Sequence, residues 1–241
     1  MNILAIGNSF SLDANRYLHK IARNDGVDLT MIGLYIGGCS LSTHYRNMLN
    51  DAKTYDIDVN GELSGFYTSM KEALTNRDWD VVTLQQVSQY APHYETYQPY
   101  LDELVSFVRK CAPKAKIYMH QTWAYEKDSK RLLELAGYNT PDDMFADIEK
   151  AYKTAAEAIG ADGIIPCGEV MQKLYKAGIA PIHRDTFHAH YGVSRYAMAL
   201  LWYAVLTGND VSKNTYIDFD VPVTEEERQI AIKCVCDIIN K

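Results

Sequence analysis

Short apolar runs alternate with helical apolar periodicities along most of this chain. Residues 2–7, Asn-Ile-Leu-Ala-Ile-Gly, form an apolar run that stops at Gly7-Asn8-Ser9, the pattern of a buried strand ending in a turn. Leu12, Tyr17, Leu18 and Ile21 fall on one face of a helix expected over 12–24. A second strand is expected over 28–35, ending at Gly37-Gly38, then a helix over 42–50, a small Gly-containing hairpin within 54–66 and a short helix over 67–76. Residues 79–85, apolar at Val81, Val82 and Leu84, have the pattern of a central strand. An amphipathic helix over 97–111 closes before Pro113, and a strand follows over 116–121. The long helix over 141–159 opens with Pro141 and two acidic residues in its first turn, where proline geometry and the helix dipole favour them. A strand over 163–166 and helices over 169–177, 194–206 and 225–239 complete the series, the last capped by Thr224.

Strands separated by helices of this length imply right-handed βαβ units. The fold class expected is α/β: a three-layer sandwich in which a central parallel sheet carries helices on both faces. With 241 residues and no repeat, linker or low-complexity tract, one domain over 1–241 is expected. Ligands in such sheets sit beyond the carboxyl ends of the strands, which is where chemistry should be sought.

Composition narrows the function. The net charge is −7 and no block of Lys and Arg occurs, which argues against nucleic acid or an anionic membrane surface as partner. No apolar run approaches the roughly 18 residues of a membrane span. The five cysteines are scattered and form no CxxC pair, so neither a disulfide framework nor a cysteine metal site is expected. Cys234 and Cys236 lie two apart in a helical pattern, where side chains diverge. The N-terminus has neither a charged start nor a cleavage site; as written, this places the chain in the cytoplasm, or in a secreted or periplasmic compartment where a signal had been trimmed.

Four segments at strand ends or in loops carry polar residues that packing does not demand: Gly7-Asn8-Ser9-Phe10-Ser11, Gly37-Gly38-Cys39-Ser40, Leu84-Gln85-Gln86-Val87-Ser88-Gln89 and Asp185-Thr186-Phe187-His188. In this order they resemble the SGNH hydrolases, the GDSL esterase/lipase superfamily, from residue 3 to about residue 206. The blocks Gly-Asn-Ser-Phe, Gly-Gly-Cys-Ser-Leu and Leu-Gln-Gln look most like a little-characterised bacterial branch. The resemblance implies that Ser9 is the nucleophile, His188 the base and Asp185 its orienting carboxylate. It implies an oxyanion hole made by the backbone N–H groups of Ser9 and Gly38 and a side-chain amide from the third block. Two departures from the family pattern stand out. Asn8 replaces the family's Asp, which is outside the triad. A Gln-containing stretch replaces the Asn of the third block, as in carbohydrate acetylesterase relatives; Gln86, directly after the strand, is favoured as the amide donor over Gln89.

These residue types suit the chemistry. A serine hydroxyl needs a base to remove its proton, and histidine titrates near neutrality. A carboxylate fixes the imidazole tautomer and stabilises the imidazolium. Taken singly each signal is weak: Ser9 could be a helix cap, Gly37-Gly38 a turn, Gln85 and Gln86 strand-end residues, Asp185 a cap and His188 a half-buried polar group. Their coincidence in one order carries the reading. His190 is the alternative base, disfavoured by the Asp-x-x-His spacing. His44 is expected on a helix surface, and His93, His120 and His183 have no partner at metal-ligand spacing. Trp123 and Tyr125 are candidates for a sugar-stacking wall, with packing as the competing role.

The expectation is a cofactor-free, metal-free serine esterase acting on an acyl ester, acetyl being favoured, of a carbohydrate or other small polar molecule, with the oligomeric state left open. Two rivals are carried: a catalytically degenerate carbohydrate-binding protein of the same fold, and a flavodoxin-like module cradling a phosphate or nucleotide on the 7–11 loop. The second is weakened because that loop contains neither GxGxxG nor GxxxxGK[ST].

Overall fold

In the computed structural model, which describes residues 1–240, strand β1 (Asn2–Gly7) lies at the centre of a seven-stranded sheet. It pairs in parallel with β2 (Thr30–Tyr35) on one side and β5 (Val81–Leu84) on the other, with Ala5 between Gly33 and Thr83. Between these strands the chain forms α1 (Ser9–Asn15), α2 (Leu18–Asn24), α3 (Leu41–Leu49), β3 (Tyr55–Val59), β4 (Glu62–Thr68) and α4 (Met70–Thr75). Beyond β5 come α5 (Tyr100–Cys111), β6 (Lys116–His120), α6 (Pro141–Ile159), β7 (Gly163–Ile165), α7 (Cys167–Lys176), α8 (Val193–Thr207) and α9 (Glu225–Ile239). The sheet order is β4-β3-β2-β1-β5-β6-β7.

The α/β sandwich expected from the pattern is present, with a sheet that is mostly rather than wholly parallel. Strands β3 and β4 form an antiparallel hairpin on one edge. Its turn is Asn60-Gly61, both at positive φ, the chemistry a two-residue hairpin turn requires. The segment 54–66 is therefore a sheet edge. Among the helix boundaries that differ from the periodicity, two have a capping cause. The helix over 12–24 is two helices, and the first begins at Ser9 because the Asn8 side chain accepts the Phe10 N–H as an N-cap. Residues 67 and 68 finish β4; the next helix starts at Met70, where Ser69 and Glu72 form a reciprocal capping box.

Helix α8 is apolar almost all round, and its residues 193–204 are buried. It packs against α1, α2, α7 and α9, while α3, α4 and α6 gather around α5. The chain leaves β1 for β2 on one side and later crosses to β5 on the other, so the carboxyl end of β1 is a topological switch point, the place where an α/β sheet opens a crevice. Ser9 lies there. Among the described residues no helix is long and apolar enough to cross a membrane, and all five cysteines are unpaired.

Candidate active site

Three of the expected residues meet. The Ser9 hydroxyl lies 2.8 Å from His188 Nε2, and His188 Nδ1 lies 2.7 Å from Asp185 Oδ2. The second Asp185 oxygen accepts the His188 backbone N–H at 2.9 Å. A carboxylate can only accept, so Nδ1 carries the imidazole proton and Nε2 presents its lone pair to the serine. Burial pushes the Asp185 carboxyl up, but the hydrogen bonds from the His188 ring and backbone outweigh it and hold the group below the ordinary carboxylate range. The turn that joins the two residues contains Thr186 at φ 76°, a left-handed conformation that a β-branched residue resists. The Thr186 carbonyl accepts the Glu126 N–H at 2.8 Å, which helps to hold the turn in place.

Two helices anchor this turn against Ser9. Asp13, one turn beyond Ser9 on α1 and fully buried, accepts both Arg184 and Arg195. It also accepts the Ala189 N–H at 3.1 Å. The bonded residues Arg184 and Ala189 bracket Asp185 and His188, so a single carboxylate ties the 185–188 turn to the helix that starts with Ser9. Arg195 reaches on to Asp220, which Arg16 also holds. Spacing did not single out Asp13; a usable signal was the helical i, i+4 relation to Ser9 together with an arginine directly before Asp185.

The other side of Ser9 is built from loops distant in sequence. Gly38 adopts φ 63°, and a side chain there would meet nothing, so the backbone conformation is what demands glycine. At Gly7 crowding decides instead: a Cβ would sit 2.4 Å from Ser11 Oγ. The N–H groups of Ser9, in the first turn of α1, and of Gly38 have no acceptor among the described residues. A relay of buried amides sets the loops against each other. His120 Nδ1 bonds Gln85 Oε1 at 2.8 Å, Gln85 Nε2 donates to Asn8 Oδ1 at 2.7 Å, and Asn8 Nδ2 donates to the Cys39 carbonyl at 3.0 Å. Asn8 needs an amide here, because a carboxylate would face the Cys39 carbonyl without a hydrogen to offer.

Gln86 does not occupy the expected place. Its Oε1 accepts the N–H groups of Leu41 and Val87, and its Nε2 donates to the carbonyl and hydroxyl of Thr96 at 3.0 and 3.2 Å. The amide braces the start of α3 against the 90–96 loop, and its donor end faces Thr96 rather than the space beside Ser9. The alternative Gln89 is exposed. The Gln85 and Gln86 amides are thus both engaged elsewhere, with Asn8 and Thr96.

Other expectations shift for the same reason, burial. His44 is fully buried, bonded to the Tyr55 hydroxyl and stacked on its ring, and desolvation lowers its pKa to about 3. Trp123 and Tyr125 have no exposed surface, which removes them as a sugar-stacking wall. The Trp123 ring stacks on Phe10 and its indole N–H donates to the Phe187 carbonyl, while the Tyr125 hydroxyl pairs with Ser88. They support the site from beneath. His190 contacts the Gly192 N–H and makes no bond to Ser9. Among the described residues no three His, Cys, Asp or Glu side chains converge as metal ligands.

A family model described as a domain of unknown function, DUF4886, matches residues 2–236. The chain belongs to the DUF4886 family. A DUF4886 family protein from Bacteroides uniformis is 30% identical and superposes with a TM-score of 0.90, covering 100% of this chain and 95% of the other. A protein from Slackia heliotrinireducens proposed to be an SGNH hydrolase is 26% identical with a TM-score of 0.60, covering 86% of this chain and 98% of its own. Phospholipase A1 from Streptomyces albidoflavus matches with a TM-score of 0.51 at 12% identity, covering 86% of this chain and 98% of the other, a likeness of fold. A search of curated proteins finds no match. This DUF4886 chain thus has the fold of the SGNH and GDSL-type hydrolases, as the four blocks implied.

Proposed function

We propose that this protein is a serine hydrolase that cleaves an acyl ester, acetyl being the favoured acyl group, of a carbohydrate or other small polar alcohol. The observation that carries the reading is the unbroken hydrogen-bond chain from Ser9 through His188 to Asp185 at the sheet's switch point. Ser9 Oγ attacks the ester carbonyl while His188 Nε2 takes its proton, and Asp185 stabilises the imidazolium. The negative charge that develops on the carbonyl oxygen meets the N–H groups of Ser9 and Gly38. Collapse expels the alcohol, which leaves with the proton from Nε2. Water then repeats the sequence on the acyl-serine, releasing the carboxylic acid and restoring the hydroxyl.

The preference for a small acyl group is supported by the aromatic packing beside the triad, where Phe10 stacks on Trp123 and Phe187 lies against both Phe10 and the His188 ring. The test is hydrolysis of p-nitrophenyl acetate followed by an acetylated-sugar panel, with Ser9→Ala as the control. Turnover should vanish in the variant, and a fluorophosphonate should label the parent protein at Ser9 alone. Equal turnover in Ser9→Ala would remove the nucleophile assignment. A folded parent that neither turns over esters nor takes the label would leave the non-catalytic carbohydrate-binding reading in its place.

A further inference from the structure

We propose that Arg131 sets the substrate specificity of this same site by receiving an anionic group, a carboxylate or a phosphate, on the alcohol half of the ester, an assignment that rests on the hydrolase reading above. Its guanidinium carbon lies 3.7 Å from the centre of the Phe187 ring, and that centre lies 3.8 Å from the centre of the His188 ring. A cation thus stands no more than one aromatic ring away from His188. Among the described residues it has no carboxylate partner, whereas Arg184 and Arg195, the other two arginines at the triad turn, are both neutralised by Asp13. Stacking on Phe187 uses the flat side of the guanidinium and leaves its N–H edges for acceptors. The Tyr125 hydroxyl takes one of those N–H groups. The rest match the paired oxygens of a carboxylate or phosphate.

The cation is held in register with the triad. Arg131 opens a π-helical turn, Arg131–Leu135, a rare geometry that recurs at functional sites. Ser129 Oγ caps this turn, accepting the Leu132 N–H at 3.1 Å and donating to the Glu126 carbonyl at 2.8 Å. The Glu126 N–H donates to the Thr186 carbonyl, so the segment that carries Arg131 is bonded directly to the turn that carries Asp185 and His188. Arg131 is half-buried and lines an open concavity with Lys130, Glu134 and Thr186, two cations against one carboxylate. Asp185, the other carboxylate of that turn, is engaged by His188.

These charges define the ligand. An acetyl group carries no charge, so the anion belongs to the alcohol. The chain has a net charge of −7, so its overall field does not draw an anion in, and recognition of one needs a local cation without a counter-ion. The substrate class is an ester of an alcohol that bears a carboxylate or phosphate about one ring away from the esterified oxygen.

Three acetates with the same ring test this: p-acetoxybenzoate, p-acetoxyphenyl phosphate and the neutral p-acetoxybenzamide. At low ionic strength kcat/KM for at least one anionic ester should exceed that for the amide by roughly tenfold or more, the worth of a charge-assisted hydrogen bond, and the larger ratio identifies the preferred anion. The preference should shrink as salt is raised. Arg131→Gln should bring the ratios to within about twofold of one, and Arg131→Glu should invert them. Arg131→Lys should retain a preference; a loss as complete as in Arg131→Gln would overturn the proposal, since packing on Phe187 and not charge would then be the cause. Equal kcat/KM for the three esters in the parent protein would also overturn it. Calorimetric binding of the product alcohols p-hydroxybenzoate and p-hydroxybenzamide separates this proposal from the hydrolase reading, because it needs no turnover. Tighter binding of p-hydroxybenzoate that is lost in Arg131→Gln, in a protein that cleaves none of the esters, would keep the anion site and remove the hydrolase. Equal binding of the two alcohols, or binding of neither up to their solubility, in such a protein would remove the anion site as well.

Discussion

On one side of Ser9, the base and its orienting carboxylate come from a four-residue turn, Asp185 to His188, closed by two hydrogen bonds within itself. On the other side, the Gly38 loop is tied in through Asn8, Gln85 and His120, which come from the ends of three different strands. In the proposed mechanism the acid–base half is local and the oxyanion half is distributed. A local device needs one anchor, and Asp13 provides it. A distributed device needs every link, because each buried amide left without a partner carries its own desolvation penalty, about 1–3 kcal/mol. The two halves should therefore fail differently when broken: the first in catalysis at nearly constant fold, the second in fold and catalysis together.

The largest expected effect is in the local half. His188→Ala should lower kcat for an ester substrate by roughly 10⁴–10⁶-fold, with a melting temperature within a few degrees of the parent. Asp185→Asn should cost less, roughly 10²–10⁴-fold, since the amide can orient the ring in the wrong tautomer and cannot stabilise the imidazolium. Steady-state kinetics beside thermal unfolding checks both. A small kinetic effect from His188→Ala would mean that another group, His190 first among them, takes the proton.

Next comes the anchor between the halves. Asp13→Asn leaves Arg184 and Arg195 facing a neutral amide in a buried position, and removing one partner from such a cluster costs about 3–5 kcal/mol. Urea unfolding should show that loss, and kcat should fall with it because Arg184 and the Ala189 N–H both hold the triad turn. Unchanged stability would show that Asp220, which also pairs with Arg195, suffices to hold that arginine and that Arg184 needs no carboxylate.

This contrast also explains what could be read from the chain alone. Ser9 and Asp185-x-x-His188 were legible through the resemblance of their blocks to a known family, each block being contained in a few consecutive residues. The Gln86 amide lies elsewhere than expected for a physical reason: adjacency to a strand end does not say which way an amide points, and Gln85 and Gln86 both lie beyond β5, where no strand alternation fixes their direction. Gln85 turned toward Asn8 and Gln86 toward Thr96. Asp13 was hidden because its partners lie about 170 residues away. In the fold, the strand and helix order followed the apolar pattern, whereas the start at Met70 depended on a capping box that periodicity does not register.

A pH effect far from both halves must be kept apart from them. Asp58 on β3 is buried beside Gly33, one of its oxygens has no partner, and desolvation raises its pKa to about 7. The folded state therefore binds this proton more tightly than the unfolded chain does. The associated stability is fully present below the unfolded pKa near 4 and is lost as pH rises through about 7. Asp58→Asn should match the parent near pH 4 and exceed it at pH 8 by an amount on the order of 2–4 kcal/mol, with the pH–rate profile unchanged in shape. A profile that moved with this substitution would mean that the sheet edge and the triad are coupled.

The smallest effect is the most informative about the oxyanion half. Gln86→Ala removes the brace between Leu41 and Thr96, and should lower stability by about 1–2 kcal/mol while kcat per folded molecule stays within about threefold. An oxyanion donor behaves in the opposite way: its loss costs about 10²–10³-fold in kcat with little change in fold. The two outcomes separate cleanly when activity is measured well below the melting transition of the variant. A large kinetic loss at full stability would mean that the Gln86 amide leaves Thr96 and swings to the oxyanion when substrate binds, so that the distributed half completes itself only in the occupied enzyme. A stability loss alone would leave the charge to the two backbone N–H groups, and would make the Gly38 loop, held through Asn8, the part of the site where a change in geometry is felt most.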